Sequence, residues 1–179
     1  MISTNTPPSL KRKTYSFQNW PDYNPDLFNL IKKESISKIV KPKADIVGSD
    51  ISGQAYSLSK ESAQNFGFGQ YIQLSKQPFD KYKPPYDEGI LMMNPPYGER
   101  MGNADINGLY AEIGTHLKNH FNGFDAWLLS SNYEALKHIG LRPSRKITLF
   151  NAALECKFQK FSMYRGSKKA SKQDDNLQN

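Results

Sequence analysis

Gly89-Ile90-Leu91-Met92-Met93-Asn94-Pro95-Pro96-Tyr97-Gly98 is the stretch on which the reading of this chain turns. Its first five residues form an unbroken apolar run, the pattern of a parallel strand buried on both faces. A rigid polar loop follows at once. Open α/β sheets bind their ligands beyond the carboxyl ends of their strands, so the loop stands where a site is expected. Pro95 and Pro96 fix φ and remove two backbone donors, which leaves stiff carbonyl acceptors. A Pro-Pro loop that merely turns the chain is the competing reading. The tetrapeptide Asn-Pro-Pro-Tyr is expected by chance in roughly one of a few thousand chains of this length.

The residue types suit one chemistry. An exocyclic base amine donates its lone pair into the ring and is a poor nucleophile. Two acceptors, the Asn94 side chain and the Pro95 carbonyl, are enough to hold both of its N–H bonds. That turns the lone pair toward an incoming methyl group and stabilises the positive charge that develops. Pro96 stiffens the loop, and the Tyr97 ring is suited to stack on a base that has left its own stack.

Outward from this loop, strand and helix patterns alternate. Ala44 to Gly48 reads as a strand, Gly53 to Phe66 as a modest helix closed by Gly67 and Gly69, and Tyr71 to Leu74 as another strand. Ile106, Leu109, Tyr110, Ile113, Leu117 and Phe121 fall on one face of a helix that Asn122-Gly123 stops. Phe124 to Leu129 reads as a strand and Glu134 to Ile139 as a short helix. Lys146–Phe150 and Leu154–Tyr164 read as a closing hairpin. The pattern is that of an α/β sheet domain.

With these residues in place, a family can be named. Asn94 to Gly102 resembles motif IV of class I amino-methyltransferases. The longer form through Gly98-Glu99-Arg100 is similar to the guanine-N2 methyltransferases of large-subunit ribosomal RNA, often labelled adenine-specific DNA methylases. Phe17 to Tyr23, Gly48 to Ile51 and Leu149 to Cys156 resemble further segments of that family, so the likeness covers residues 10 to 166. It implies a Rossmann-like class I methyltransferase sheet with a C-terminal antiparallel hairpin, S-adenosyl-L-methionine (SAM) as cofactor and RNA as partner.

By the same resemblance Asp50 binds the ribose hydroxyls of SAM, with Ile51 beside it. Gln77 stands where the family often carries an aspartate toward the adenine, and its amide still offers a hydrogen bond. Asp50 read alone is equally a strand-end helix cap. Arg100 either meets substrate phosphate or pairs with an acid such as Glu99. The same loop serves adenine-N6 as well as guanine-N2, and the sequence does not separate the two amines.

Composition sets the bounds. In 179 residues, 37% hydrophobic with ten Phe, ten Tyr and two Trp, there is enough to build a folded domain. The single cysteine, Cys156, forms no internal disulfide and reads as strand packing in a reducing, cytoplasmic setting. Net charge is +7. The excess is concentrated in Arg142, Arg145, Lys146, Lys157, Lys160, Arg165, Lys168 and Lys169, with Lys11-Arg12-Lys13 as a second cluster. Such localised charge suits a phosphate backbone or is simply a solvated surface. His116 and His120 lie four apart, but no carboxylate or thiol motif completes a metal site, and both read as solvated helix residues.

The domain layout expected is a flexible segment at 1–10, a partial methyltransferase catalytic domain at 11–166 and a disordered basic and polar tail at 167–179. Met1 to Leu10 offers nothing to pack. No Gly-x-Gly loop followed by a helix precedes Asp50. In the resembled fold that loop follows the first strand, which lies mid-sheet, so two half-sheets with open inner edges are expected. The chain is therefore expected to be part of a longer or split enzyme, with a missing N-terminal half and a THUMP domain upstream. A non-catalytic RNA-binding fragment or subunit is the reading from another class.

Overall fold

The computed structural model describes residues 1–10, 12–96 and 105–165. The tail expected at 167–179, and Tyr97 through Gly102 of the loop motif, lie outside the described residues. The chain divides into two compact units, Met1–Pro78 and Phe79–Asn179, where the sequence reading treats 11–166 as one domain.

The first unit opens with a short 3-10 turn, Ile2–Thr4. Thr4 is buried, its carbonyl accepts the Val40 amide at 2.9 Å, and Asn5 Nδ2 donates to the Lys38 carbonyl at 3.1 Å. The expectation that Met1 to Leu10 has nothing to pack is corrected accordingly: its polar groups, not apolar ones, tie it down. Helix α1, Pro25–Ser37, was not expected. Asn24 caps it by accepting the Leu27 amide at 3.0 Å, and Pro25 stands in its first turn, where a missing N–H costs nothing. Phe17 meets Tyr15, Trp20, Tyr23 and Phe28 ring to ring just ahead of and into this helix.

Strand β1, Ile46–Asp50, leads through helix α2, Gly53–Asn65, to strand β2, Ile72–Lys76, and the two strands pair in parallel. Gly67 ends the α2 region at a φ of 79°.

The second unit carries a four-stranded sheet in the order β3-β4-β6-β5. Its elements are β3, Gly89–Met93; α3, Ile106–His120; β4, Phe124–Ser130; α4, Tyr133–His138; β5, Arg145–Asn151; and β6, Leu154–Ser162. β3 and β4 are parallel, while β6 runs antiparallel to both β4 and β5. The sequence reading expects two half-sheets, and two sheets are found. The closing hairpin turns at Asn151 to Leu154, with Ala152 at a positive φ of 54°.

One face of this sheet carries the core. Tyr110, Ile113, Leu117 and Phe121 of α3 meet Ala126 and Leu128 of β4, Leu136 of α4, and Phe161 of β6. The helical stripe read from the sequence is thus the buried one. Leu91 and Met93 of β3 pack against the same cluster. On the other face Trp127 and Phe158 stack at 4.7 Å. Ile90 and Met92 of β3 are 70% and 69% exposed, so the expectation of a strand buried on both faces holds for one face only. Cys156 is fully buried, as strand packing requires.

His116 overturns its expectation as a solvated residue. It is buried, its Nε2 lies 2.7 Å from the Tyr82 carbonyl, and Phe79 packs edge-on against its ring. The segment before β3 covers a flank of α3 that the helical stripe does not count. Among the described residues no group of His, Cys, Asp or Glu is placed to hold a metal, and no helix is long and apolar enough to cross a membrane.

Gly114 marks the closest approach of α3 to α4, because a Cβ there would overlap the Ile139 backbone carbonyl. Alanine would gain up to ~1 kcal/mol in helix propensity, but the backbone it meets cannot swing aside. Gly114→Ala is expected to destabilise the protein by about 1–3 kcal/mol in urea unfolding, with the slope unchanged.

Candidate functional site

In the first unit the site residues stand at the carboxyl ends of the parallel pair. Asp50 closes β1, and the Gln77 amide donates to its carbonyl at 3.1 Å, so the two residues are neighbours. Asp50 Oδ1 accepts the Ser52 amide at 2.7 Å, and Ser52 caps α2 by accepting the Ala55 amide at 3.3 Å. Asp50 therefore braces the turn into the helix without being the cap itself. Its carboxylate remains exposed at the strand end. Gln77 donates through Nε2 to Ser75 Oγ at 3.0 Å, which leaves its amide oxygen as an acceptor. Ile51 projects beside them, 69% exposed. A cleft of about 270 Å³ elsewhere in this unit is lined by Thr4, Ile39, Phe66 and Tyr71, and none of the three site residues lines it.

In the second unit Asn94, Pro95 and Pro96 leave β3 directly after Met93. Asn94 and Pro96 are exposed while Pro95 is buried, so the loop is anchored at its middle and open on either side. Tyr97, expected to stack on the base, lies outside the described residues, as do Glu99 and Arg100.

The parallel register, in which Met93 faces Leu128, brings the end of β4 to the same rim. There Ser130 Oγ shares a 2.7 Å hydrogen bond with the buried Tyr110 hydroxyl and accepts the Asn132 amide at 3.1 Å. Asn132 Oδ1 in turn caps α4 through the Ala135 amide at 2.9 Å. Helix α3, the next described element after the loop, is capped by Asp105, which accepts the Gly108 amide at 2.8 Å.

The sequence reading missed a polar cluster on this rim. The Tyr133 hydroxyl donates to Glu155 Oε1 at 3.0 Å. The Lys157 ammonium donates to the same carboxylate oxygen at 2.6 Å and to Thr148 Oγ1 at 2.9 Å, and lies 5.3 Å from the centre of the Tyr133 ring. The Lys157 hydrogen bond, then that of Tyr133, holds the Glu155 carboxyl below its usual range. The Lys157 ammonium is raised in turn, chiefly by its bond to Glu155. Desolvation first, and Glu155 second, raise the Tyr133 phenol. Counting residues back from the hairpin turn puts Glu155 and Lys157 on one strand face, but Tyr133 comes into reach only through the packing of α4.

The structure thus brings Asp50, Ile51 and Gln77 together in one unit and Asn94 to Pro96 together in the other. With that geometry described, comparison with known proteins supplies the family. A model of the RMKL-like methyltransferase domain matches residues 1–160. The chain belongs to that family. It is 31% identical over 172 residues to ribosomal RNA large subunit methyltransferase K/L of Shewanella frigidimarina, covering 93% of this chain and 24% of that protein. Among solved structures it resembles SMU.472, determined as a complex with SAH, at a TM-score of 0.82 and 23% identity over 93% of this chain and 44% of that one. A methylase-like protein from Clostridium difficile 630 follows at 0.80 and 23%, over 94% and 45%. These likenesses establish the class I methyltransferase fold. The chain spans about a quarter of the length of the Shewanella relative.

The rim cluster makes a titration prediction. Lys157→Met is expected to raise the Glu155 pKa toward the ordinary carboxylate value, because the larger of its two stabilising bonds is lost. Carbon-detected NMR titration of the Glu155 carboxyl measures this, and an unmoved midpoint would mean that Lys157 does not engage Glu155 in solution.

Proposed function

We propose that this domain transfers a methyl group from SAM to an exocyclic amine of a nucleic-acid base, with guanine-N2 of large-subunit ribosomal RNA as the favoured target. The observation that carries the reading is the position of Asn94 and Pro95 directly beyond the carboxyl end of β3. Asn94 accepts one N–H of the target amine through its side chain, and the Pro95 carbonyl accepts the other. Both acceptors stabilise the charge that forms on the nitrogen. Tyr97 stacks on the extruded base. When bound, SAM supplies the electrophilic methyl group.

The residues of the first unit fit the nucleoside part of SAM. Asp50 presents an exposed carboxylate beyond the single oxygen engaged by Ser52, as a diol requires. Gln77 beside it keeps an acceptor for an adenine amine, and Ile51 offers apolar cover.

A segment outside these 179 residues completes the enzyme by supplying the Gly-rich loop and a strand along the open edge of β3, with an RNA-binding THUMP domain upstream. The support is physical. Among the described residues β3 pairs only with β4, and its edge carries no charge, proline or bulge to discourage pairing. Proteins rarely leave such an edge uncovered.

Two measurements test the proposal. Saturable heat on calorimetric titration with SAM is expected, weakened roughly tenfold or more by Asp50→Ala, since a charge-assisted diol contact is worth about 1.5–3 kcal/mol. Asn94→Ala is expected to lower transfer of labelled methyl to unmodified ribosomal RNA by about 100-fold or more, as loss of a transition-state acceptor does. RNA binding should stay nearly unchanged. A chain that binds RNA but neither SAM nor methyl acceptors, even with the upstream segment restored, would be a binding module. Methylation of adenine-containing DNA in place of ribosomal RNA would move the target to adenine-N6.

A further inference from the structure

β6 begins beyond the end of β4. Its first partner there is Ser130, opposite Lys157, so Leu154, Glu155 and Cys156 pair only with β5. The hairpin therefore projects past β4 by roughly 10 Å at the usual rise per residue. It projects at the end of the sheet where Asn94 to Pro96 leave β3, because β3 and β4 are parallel.

Residues opposite one another in an antiparallel pair share a face. Lys157 shares the Ser130 face, which is the side covered by α3 and α4. Thr148 lies opposite Lys157 and Phe150 opposite Glu155, so both belong to that face, with Lys146 two residues before Thr148. Phe150 is 69% exposed and meets no other ring among the described residues. Tyr133 is 42% exposed, and its hydroxyl is held by Glu155. Lys146 is exposed and forms no ion pair among the described residues. A cation, a hydroxyl and two exposed rings thus lie along one face of the rim, with Phe150 on the part that projects past β4.

We propose that this rim, Lys146, Thr148 and Phe150 on β5 with Tyr133 beside them, is the platform for the single-stranded RNA that flanks the target base. The assignment rests on the nucleic-acid reading above and names the surface that holds the strand. A base whose amine reaches Asn94 has left its stack, so its neighbours have lost a stacking partner too. Phe150 and Tyr133 replace that partner without regard to base identity, and Lys146 meets a phosphate. Tyr133 is already locked through Glu155, so less freedom is lost on binding.

The test uses the full chain and a short single-stranded RNA of mixed sequence carrying 2-aminopurine. Binding is expected to quench the fluorophore. Phe150→Ala should weaken binding by on the order of tenfold and relieve the quenching, while Phe150→Trp restores both. Lys146→Ala should reduce the slope of log affinity against log salt by about one. Phe150 is exposed, so an unchanged circular dichroism spectrum confirms that the variants fold. Unaltered affinity and quenching in Phe150→Ala overturns the proposal, as does failure of the wild-type chain to bind the RNA. Sedimentation showing a dimer that Phe150→Ala dissolves would give the rim to a second copy instead. None of these readouts needs methyl transfer. Phe150-dependent RNA binding without transfer would leave the platform standing and sink the enzymatic reading, and transfer with undiminished RNA affinity in Phe150→Ala would do the reverse.

Discussion

The parallel pairing of Gly89–Met93 with Phe124–Leu128 is the constraint on which the second unit depends. Parallel strands end on the same side of a sheet. One register therefore sets the Asn94-Pro95-Pro96 loop, the Ser130 hydroxyl and the start of α4 along a single rim. The antiparallel return of β6 then carries Glu155 and Lys157 to the same place. A slip of one residue in β3 would turn Leu91 and Met93 out of the core and send Ile90 and Met92 into it. The core decides against the slip, because only Leu91 and Met93 reach the cluster beneath α3.

Behind the loop the support is polar as well as apolar. Tyr110 and Ser130 are both fully buried and bonded to each other, and the same serine oxygen accepts the Asn132 amide. A buried hydroxyl without a partner costs about 1–3 kcal/mol, so this arrangement favours a single geometry at the end of β4. Apolar packing alone would hold the helix against the sheet but would tolerate small shifts along it. Under the function proposed above, an Asn94 acceptor meeting a specific N–H gains from the stiffer support.

How much of this was legible in the sequence follows from which physical signals are local. The stripe on α3 is legible because burial imposes a period within one element, whereas the apolar run of β3 gives the strand but not its one exposed face. Helix α1 buries none of its residues, so no packed stripe marks it, although Asn24-Pro25 is a readable start. The burial of His116 is not legible along the chain, because its partner, the Tyr82 carbonyl, comes from an irregular segment that no period describes. Asp50 was read as either a cofactor ligand or a cap. Its bond to the Ser52 amide shows a third arrangement, a brace that leaves carboxylate oxygen available. In the Tyr133–Glu155–Lys157 cluster the two strand residues can be counted onto one face, but Tyr133 arrives through the packing of α4, which no count along the chain gives.

The distribution of charge sharpens the reading of the basic segment. Sequence alone groups Lys157, Lys160 and Lys146 as equivalent cations. In the fold Lys160 is bound to Asp125 at 2.8 Å and Lys157 to Glu155 at 2.6 Å, and the Asp125 carboxyl is held below its usual range chiefly by that lysine. Both lysines are locally neutralised and act as struts of the sheet, whereas Lys146 forms no ion pair among the described residues. A count of basic residues therefore overstates what this segment offers to phosphate. What sets the segment apart is Lys146, in no ion pair among the described residues, on the same strand face as the exposed Phe150, on a hairpin that extends past the end of β4. Nucleic-acid surfaces for unstacked bases are built in that way, with charge to gather the strand and aromatic faces to hold it.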